Sequence, residues 1–438
     1  MKKSQVLLAS GLLLSAASSA NTTPITAATD KVLFSQQPPA SLPANMVPQF
    51  VTLGFDDNSE ADGINWTLQT LAGLKNPAGL GSAATFDGQP LKASFFPTCR
   101  QAEQNPAILT AWNQIYLQGH EIGNHTYAHE WGQNFSQQQW ESQMQGCMTL
   151  LSAPFKAGDA SSGAGVPREQ IQGFRAPFVL YNDDTFKAMK TVGLSYDVSI
   201  QEGNQADQDT SNYFWPYTLD EGSPGSQLAW WGPNVSKHPG VWSLPLHMLQ
   251  VVPDDRVAKY GLNYSLLNKI HETLKKFNFK GNKLTAFDFN LYSSGDWLYA
   301  LTKAEALAVL KYNLDARLAG NRAPLVLGFH TDYLSGSAIA NMNATSPQDR
   351  RDVVKEFLEY AVTIKAVRVV RHIDVINWMR QPTKLVVCAD NEWDFQAVYT
   401  AGDTVSYQGH LWTAKWWTKL EMPIAKSWSV WKDEGQCS

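Results

Sequence analysis

The stretch FVTLGFDDN, residues 50–58, decides the fold. Its first six residues form an apolar run that reads as a buried strand. The run stops on two adjacent carboxylates, Asp56 and Asp57. Neighbouring anions repel unless a metal ion, an arginine or solvent lies between or beside them. Seven more short apolar runs follow: KASFFPT, HEIGNH, IQGFRAP, LSYDVSI, GVWSLPL, KLTAFDFN and APLVLGFHT. They alternate with amphipathic helical patterns such as NPAILTAWNQIYLQ, SQQQWESQMQGCMTLLSA and TKAEALAVLKYNLDARLA. This β-then-α order, from residue 48 to 380, predicts an α/β fold whose parallel strands form a distorted (β/α) barrel. In such architectures the chemistry sits at the carboxyl ends of the strands. Asp56, Asp57, His125, Arg175 and His330 all stand at or just after such an end.

The rest of the chain sets the context. Its 438 residues leave room for one large domain and one small one, and 44% hydrophobic with 17% charged residues is an ordinary globular composition. A formal net charge of −5 provides no basic footprint, so nucleic acid is not an expected partner. The start, MKK followed by VLLASGLLLSAASSA, reads as a signal peptide over residues 1–20 with a cut near Ala20, ahead of an N-terminal segment, 21–47. No later run has the length of a membrane span. The expectation is a secreted, soluble monomer, extracellular or periplasmic, in which cysteines pair. Four cysteines permit three pairings, and sequence order favours Cys99–Cys147 and Cys388–Cys437. The second pair brackets the tail and implies a separate small domain fastened at its ends.

The segment HTYAH places His125 and His129 four residues apart. On one helical turn both imidazoles would face the same way and share a metal. Two histidines and one carboxylate around zinc leave a fourth position for water, the arrangement of a hydrolytic centre. The paired aspartates can then divide the labour, one as ligand and the other as base. Arg175, in FRAPF, is the natural clamp for that base, and His330, in LGFHTDY, is placed to act as an acid. Taken singly, each of these residues has a bland reading as a capping, salt-bridging or strand-end residue.

As an ordered set, LGFDDN, HTYAH, FRAPF and LVLGFH resemble the motifs of the polysaccharide deacetylases of carbohydrate esterase family four, which carry the NodB-homology domain. The resemblance covers residues 48–380. It implies Asp56 as catalytic base and Asp57, His125 and His129 as ligands of a zinc ion or another divalent metal. It also implies that Arg175 holds Asp56, that His330 is the acid, and that the Phe178 amide binds the oxyanion. Phe178 stands where the family usually has Tyr. The family's fourth motif, an Asp followed by Asp-Trp, has its nearest counterpart in Asp197 of SYDVSI, which lacks the aromatic. Trp231, Trp242 or Trp297 is expected to restore that aromatic wall, and Leu327 to line a pocket for the acetyl methyl.

The tail changes texture. Residues 381–387 form a short linker, and 388–438 alternate aromatic with polar residues around turn signals. A unit this small cannot bury all its tryptophans, so some face outward as a binding surface. GDTVSYQGHLWTAKWW, residues 402–417, resembles the chitin-binding modules of carbohydrate-binding families five and twelve. That resemblance implies that Trp416 and Trp417 are the exposed pair and that Trp393, Trp412 and Trp431 are core, with Tyr407 undecided. Together with the export signal, it makes the chain similar to the chitin oligosaccharide deacetylases of marine bacteria. The activity this implies is N-deacetylation of GlcNAc units in chitin oligosaccharides, down to the disaccharide. The alternatives are an O-deacetylase of acetylated polysaccharide and an inactive chitin-binding protein. A glycosidase is disfavoured, because adjacent aspartates do not make a carboxylate pair that spans a glycosidic bond.

Overall fold

The computed structural model describes residues 30–226, 234–277, 281–295, 298–337, 339 and 341–438. The expected signal peptide, Trp231 and Trp297 lie outside the described residues.

The opening stretch becomes β1, Gln49–Asp57, with every residue but the last buried. Burial on both faces is what a central parallel strand requires, and it explains the unbroken apolar run. β1 pairs in parallel with β2, Ser94–Pro97, which pairs in parallel with β3, Glu121–Ile122. On its other edge β1 pairs in parallel with the strand Leu325–His330, while Val367–Val369 pairs in parallel with the start of β1 on the same edge as β2. The sheet is carried onward by a parallel bridge from Asn124 to Phe174, which leads to β4, Gly173–Phe174. β4 is followed by β5, Tyr196–Asp197, and by the strand Trp242–Ser243, both parallel. The far side departs from the rule: Leu249–Gln250 runs antiparallel to Lys283–Leu284. A parallel bridge from Phe287 to Gly328 then returns to the first sheet. The result is the distorted barrel expected from the alternation.

The helices follow from caps as well as periodicity. Ser136, Asn182, Thr302 and Ser346 form capping boxes ahead of Gln137–Ser152, Asp183–Val192, Lys303–Ala319 and Pro347–Val362. Two helices outside the sequence patterns are Ala61–Ala72 and His372–Arg380. In the first, a Cβ on Gly63 would lie 2.0 Å from the Thr331 carbonyl oxygen, so close packing dictates a residue that hides the helical pattern. The core centres on Phe55, stacked on Phe95 at 5.1 Å between centroids and tilted against Phe329 at 5.8 Å. Each such ring, fully buried, contributes roughly 1.5–3 kcal/mol.

Both disulfides form as the sequence order predicted, Cys99–Cys147 and Cys388–Cys437. The tail is an all-β unit with its own core of Tyr399, Val405, Trp412 and Trp431, against which Trp393 and Tyr407 pack half-buried. Trp416 and Trp417 are exposed, as is Trp428. Residues 381–387 do not hang free. The Leu385 amide donates to the Met46 carbonyl at 2.9 Å, and Met46 joins Leu411 and Cys437 in a small apolar plug between the tail and the barrel.

Candidate active site

The end of β1 is an abrupt turn. Asp57 and Asn58 both adopt left-handed backbone, with φ of 64° and 58°. Such values are tolerated by Asp and Asn, whose side chains bond locally. Asn58 is locked by its amide donating to the Phe55 carbonyl at 2.8 Å and by Trp112 Nε1 donating to its own carbonyl at 2.9 Å. The turn throws Asp57 to one side and leaves Asp56 buried on the other.

Asp57 Oδ1 lies 3.3 Å from His129 Nε2 and 3.7 Å from His125 Nε2. One ligand-type atom from each of the three residues lies within 4.8 Å of the others. His125 Nδ1 sits 2.7 Å from the Arg175 carbonyl oxygen, an acceptor, so this nitrogen carries the proton and Nε2 presents its lone pair to the cluster. Burial holds the His125 imidazole down to a pKa of about 4, so it is neutral and fit to ligate at neutral pH. Burial pushes the Asp57 carboxyl upward. His330, His125, His129 and the Thr98 hydroxyl outweigh that and bring it below its ordinary value. A neutral imidazole of fixed tautomer beside an ionised carboxylate and a second imidazole is the donor chemistry of a zinc site, so the residues fit a divalent metal.

The helical-turn expectation for HTYAH is not met. Residues 125–129 form a loop in which Thr126 and His129 have φ of 67° and 54°. The Thr126 amide donates to Asn124 Oδ1 at 2.9 Å and the His129 amide to Thr126 Oγ1 at 3.2 Å. These side-chain bonds bend the backbone where a helix would have used its own carbonyls. The two imidazole centroids nonetheless lie 5.0 Å apart.

Asp56 is gripped by Arg175, whose Nη1 donates to Oδ2 at 3.1 Å with both side chains buried. The guanidinium lies over Phe96 and Phe287, which exclude water from the pair. Gly54 makes room for this: a Cβ there would lie 3.0 Å from Arg175 Nη2 and 2.7 Å from His372 Cε1.

His330 is in register with Asp56 across the parallel strands. Its partner is Asp288, not Asp197. Asp288 Oδ1 lies 2.7 Å from His330 Nδ1, and Oδ2 accepts the His330 amide at 2.8 Å. Burial alone would lower the His330 pKa. The Asp288 carboxylate, with Asp57 and Asp56, overrides it and raises the value to about 10. Asp197 is buried and turned to a structural task, accepting from the Ser199 hydroxyl at 2.7 Å and from the Ser199 and Ile200 amides. Sequence reasoning missed Asp288, although AFDFN ends an apolar run on a carboxylate just as LGFDDN does.

The expected pocket walls need correction. Leu327 is buried in the strand Leu325–His330, where alternation puts it with Phe329 on the face opposite His330. Gly328 holds the position on the His330 side, and Phe287 fills the space a Cβ there would need. Trp242 is fully buried and donates from Nε1 to Asp30 at 2.9 Å. The rings beside the site are others. Tyr333 lies 4.5 Å from His330, and Phe178, at φ 56°, lies 4.5 Å from His129. Trp131 stacks on Phe178 at 4.5 Å.

This barrel, with carboxylate and imidazole clusters at its strand ends and an aromatic β module behind it, matches two family descriptions. Residues 82–196 match the model described as polysaccharide deacetylase, and residues 392–432 match carbohydrate-binding module family 5/12. Residues 82–196 are thus similar to a polysaccharide deacetylase domain, and residues 392–432 to a carbohydrate-binding module of that kind. Among curated proteins it is similar to chitin deacetylase 8 of Bombyx mori, 24% identical over 355 residues that cover 79% of this chain and 74% of that one. It is also similar to chitin deacetylase 1 of Bombyx mori, 22% identical over 305 residues, covering 68% of this chain and 46% of that protein. Among solved structures it is similar to one from Mycobacterium smegmatis assigned to the polysaccharide deacetylases. That likeness has 17% identity, a TM-score of 0.46, and coverage of 80% of this chain and 95% of the other.

Proposed function

We propose that this protein is an exported, zinc-dependent N-deacetylase that hydrolyses the acetamide of GlcNAc units in chitin oligosaccharides and releases acetate. The observation that carries the reading is the convergence on one spot of Asp57, His125 and His129, the Asp56–Arg175 pair and the His330–Asp288 pair. Asp57 and the Nε2 atoms of His125 and His129 would hold the divalent ion. When bound, that ion supplies Lewis acidity and brings the pKa of water from about 15.7 toward about 7. Asp56 accepts the proton of the attacking water, with Arg175 keeping the carboxylate aimed. The left-handed turn at Phe178 presents the backbone N–H proposed to donate to the tetrahedral oxyanion. Non-glycine residues held at such angles store strain that surrounding structure must support. His330 enters the reaction protonated, and it gives its Nε2 proton to the departing amine while Asp288 holds Nδ1. An inactive chitin-binding protein would need none of these pairings.

The tail is proposed to hold the enzyme on chitin through Trp416 and Trp417, whose exposed faces suit stacking on pyranose rings. Mass spectrometry of defined GlcNAc oligomers, coupled to acetate assay with and without zinc after chelation, tests the whole reading. Zinc-dependent loss of one acetyl group per product is expected. Acetate release from acetylated xylan alone would replace it with the O-deacetylase reading.

A further inference from the structure

We infer that Trp131 is a specificity-determining residue that, resting on the deacetylase reading, holds the pyranose next to the one being deacetylated. The step from His129 to Phe178 to Trp131 is a ladder of rings. Phe178 meets the His129 imidazole edge-on at 4.5 Å, and Trp131 lies nearly parallel to Phe178, at 23° and 4.5 Å. Phe178 is 45% exposed and Trp131 62% exposed, so the ladder climbs from a proposed metal ligand into solvent. An indole left this open recovers little of its hydrophobic free energy in the free protein. A flat apolar face beside a polar centre suits the C–H face of a sugar ring.

The loop also holds the ring in place before any ligand arrives. A Cβ on Gly132 would lie 2.1 Å from the Trp140 ring, so the chain after Trp131 presses directly on the helix Gln137–Ser152. The turn Gly132–Asn134 follows at once, closed by the Phe135 amide donating to the Gly132 carbonyl at 2.9 Å. A platform built on a braced loop loses little entropy on binding. Trp131 stands two centroid steps of 4.5 Å from the His129 ring, farther than one sugar repeat, so a substrate of at least two sugars is needed to reach both the reaction centre and Trp131.

The test uses the full chain in two ways. In the first, isothermal titration of N,N′-diacetylchitobiose into zinc-loaded Asp56→Asn protein is compared with the same protein carrying Trp131→Ala or Trp131→Phe. All three also carry Trp416→Ala and Trp417→Ala, to silence the module. Trp131→Ala is expected to weaken binding about tenfold, and Trp131→Phe to restore most of it. In the second, with Asp56 intact, KM for the disaccharide is expected to rise about tenfold in Trp131→Ala while kcat stays within about twofold. Unchanged affinity would overturn the inference. So would a fall in kcat together with zinc content, because Trp131 would then merely support the metal loop. Weakened binding in a protein that releases acetate from no sugar would retain the platform and defeat the deacetylase reading instead.

Discussion

Replacing Asp288 by Asn isolates the feature that holds His330 in its protonated form. The substitution keeps the shape and one hydrogen-bonding oxygen but removes the charge 2.7 Å from Nδ1. In the intact protein burial works against protonation, and Asp288 is the largest opposing influence, leaving the pKa at about 10. Without it, burial is met only by Asp57 and Asp56, and we take the ordinary value of 6.5 as the ceiling for the variant. At pH 8 a pKa of about 10 leaves His330 about 99% protonated, whereas one of 6.5 leaves about 3%, so the acid form drops by roughly 30-fold. The assay is acetate release from a chitin oligosaccharide across pH 5–10, with both proteins zinc-loaded so that the ion's field acts equally on each. The basic limb of kcat is expected to move down by about 3.5 pH units or more in the variant, with zinc content unchanged. Stability carries the same sign. A raised folded-state pKa adds stability that is complete below pH 6.5 and fades as pH climbs through about 10, so the gap in Tm between the proteins narrows toward alkaline pH. Basic limbs that coincide would refute the assignment of His330 as acid and Asp288 as its partner.

Asp56→Asn is expected to cut acetate release by about 100-fold or more while zinc stays bound, which elemental analysis checks. His125→Ala removes the ligand of fixed tautomer and should yield protein that purifies with little zinc. Cys99→Ala with Cys147→Ala opens a loop of 48 residues in sequence separation and should cost about 4 kcal/mol of stability. It should also weaken zinc retention, since the Cys99 and Arg100 amides donate to the Thr126 and Tyr127 carbonyls of the metal loop. Trp416→Ala with Trp417→Ala should reduce adsorption to insoluble chitin at least tenfold, read from depletion binding, and spare turnover of the soluble disaccharide.

Much of this arrangement was legible because strand ends advertise themselves. An apolar run that breaks on Asp56 and Asp57 has one sensible place in a parallel barrel, and the same logic located Arg175 and His330. The cysteines paired by order because each pair lies within one folding unit. What the sequence hid depended on contacts between distant segments. Asp288 carries no local mark of its bond to His330, 42 residues away. The bend of HTYAH is made by the Asn124 and Thr126 side chains, so a four-residue spacing that fits a helix arises from a loop. The helix Ala61–Ala72 escaped because Gly63, required by the Thr331 carbonyl, reads as a breaker. Leu327 misled because a one-residue step in a strand reverses its face. Trp131 lay unnoticed because a lone tryptophan beside a metal motif looks like any other until Phe178 is seen beneath it.

The plug around Met46 bears on how the protein meets an insoluble surface. Met46 lies three residues ahead of β1, the strand that ends at Asp56 and Asp57, and it is wedged against Leu411 and Cys437 of the tail. On the proposed function, a grip at Trp416 and Trp417 would be passed through a few packed side chains to the foot of β1, whose far end carries Asp56 and Asp57. On that reading adsorption would set attitude as well as proximity, so the strand ends would meet the surface at one bearing, as a blade does when clamped in its stock.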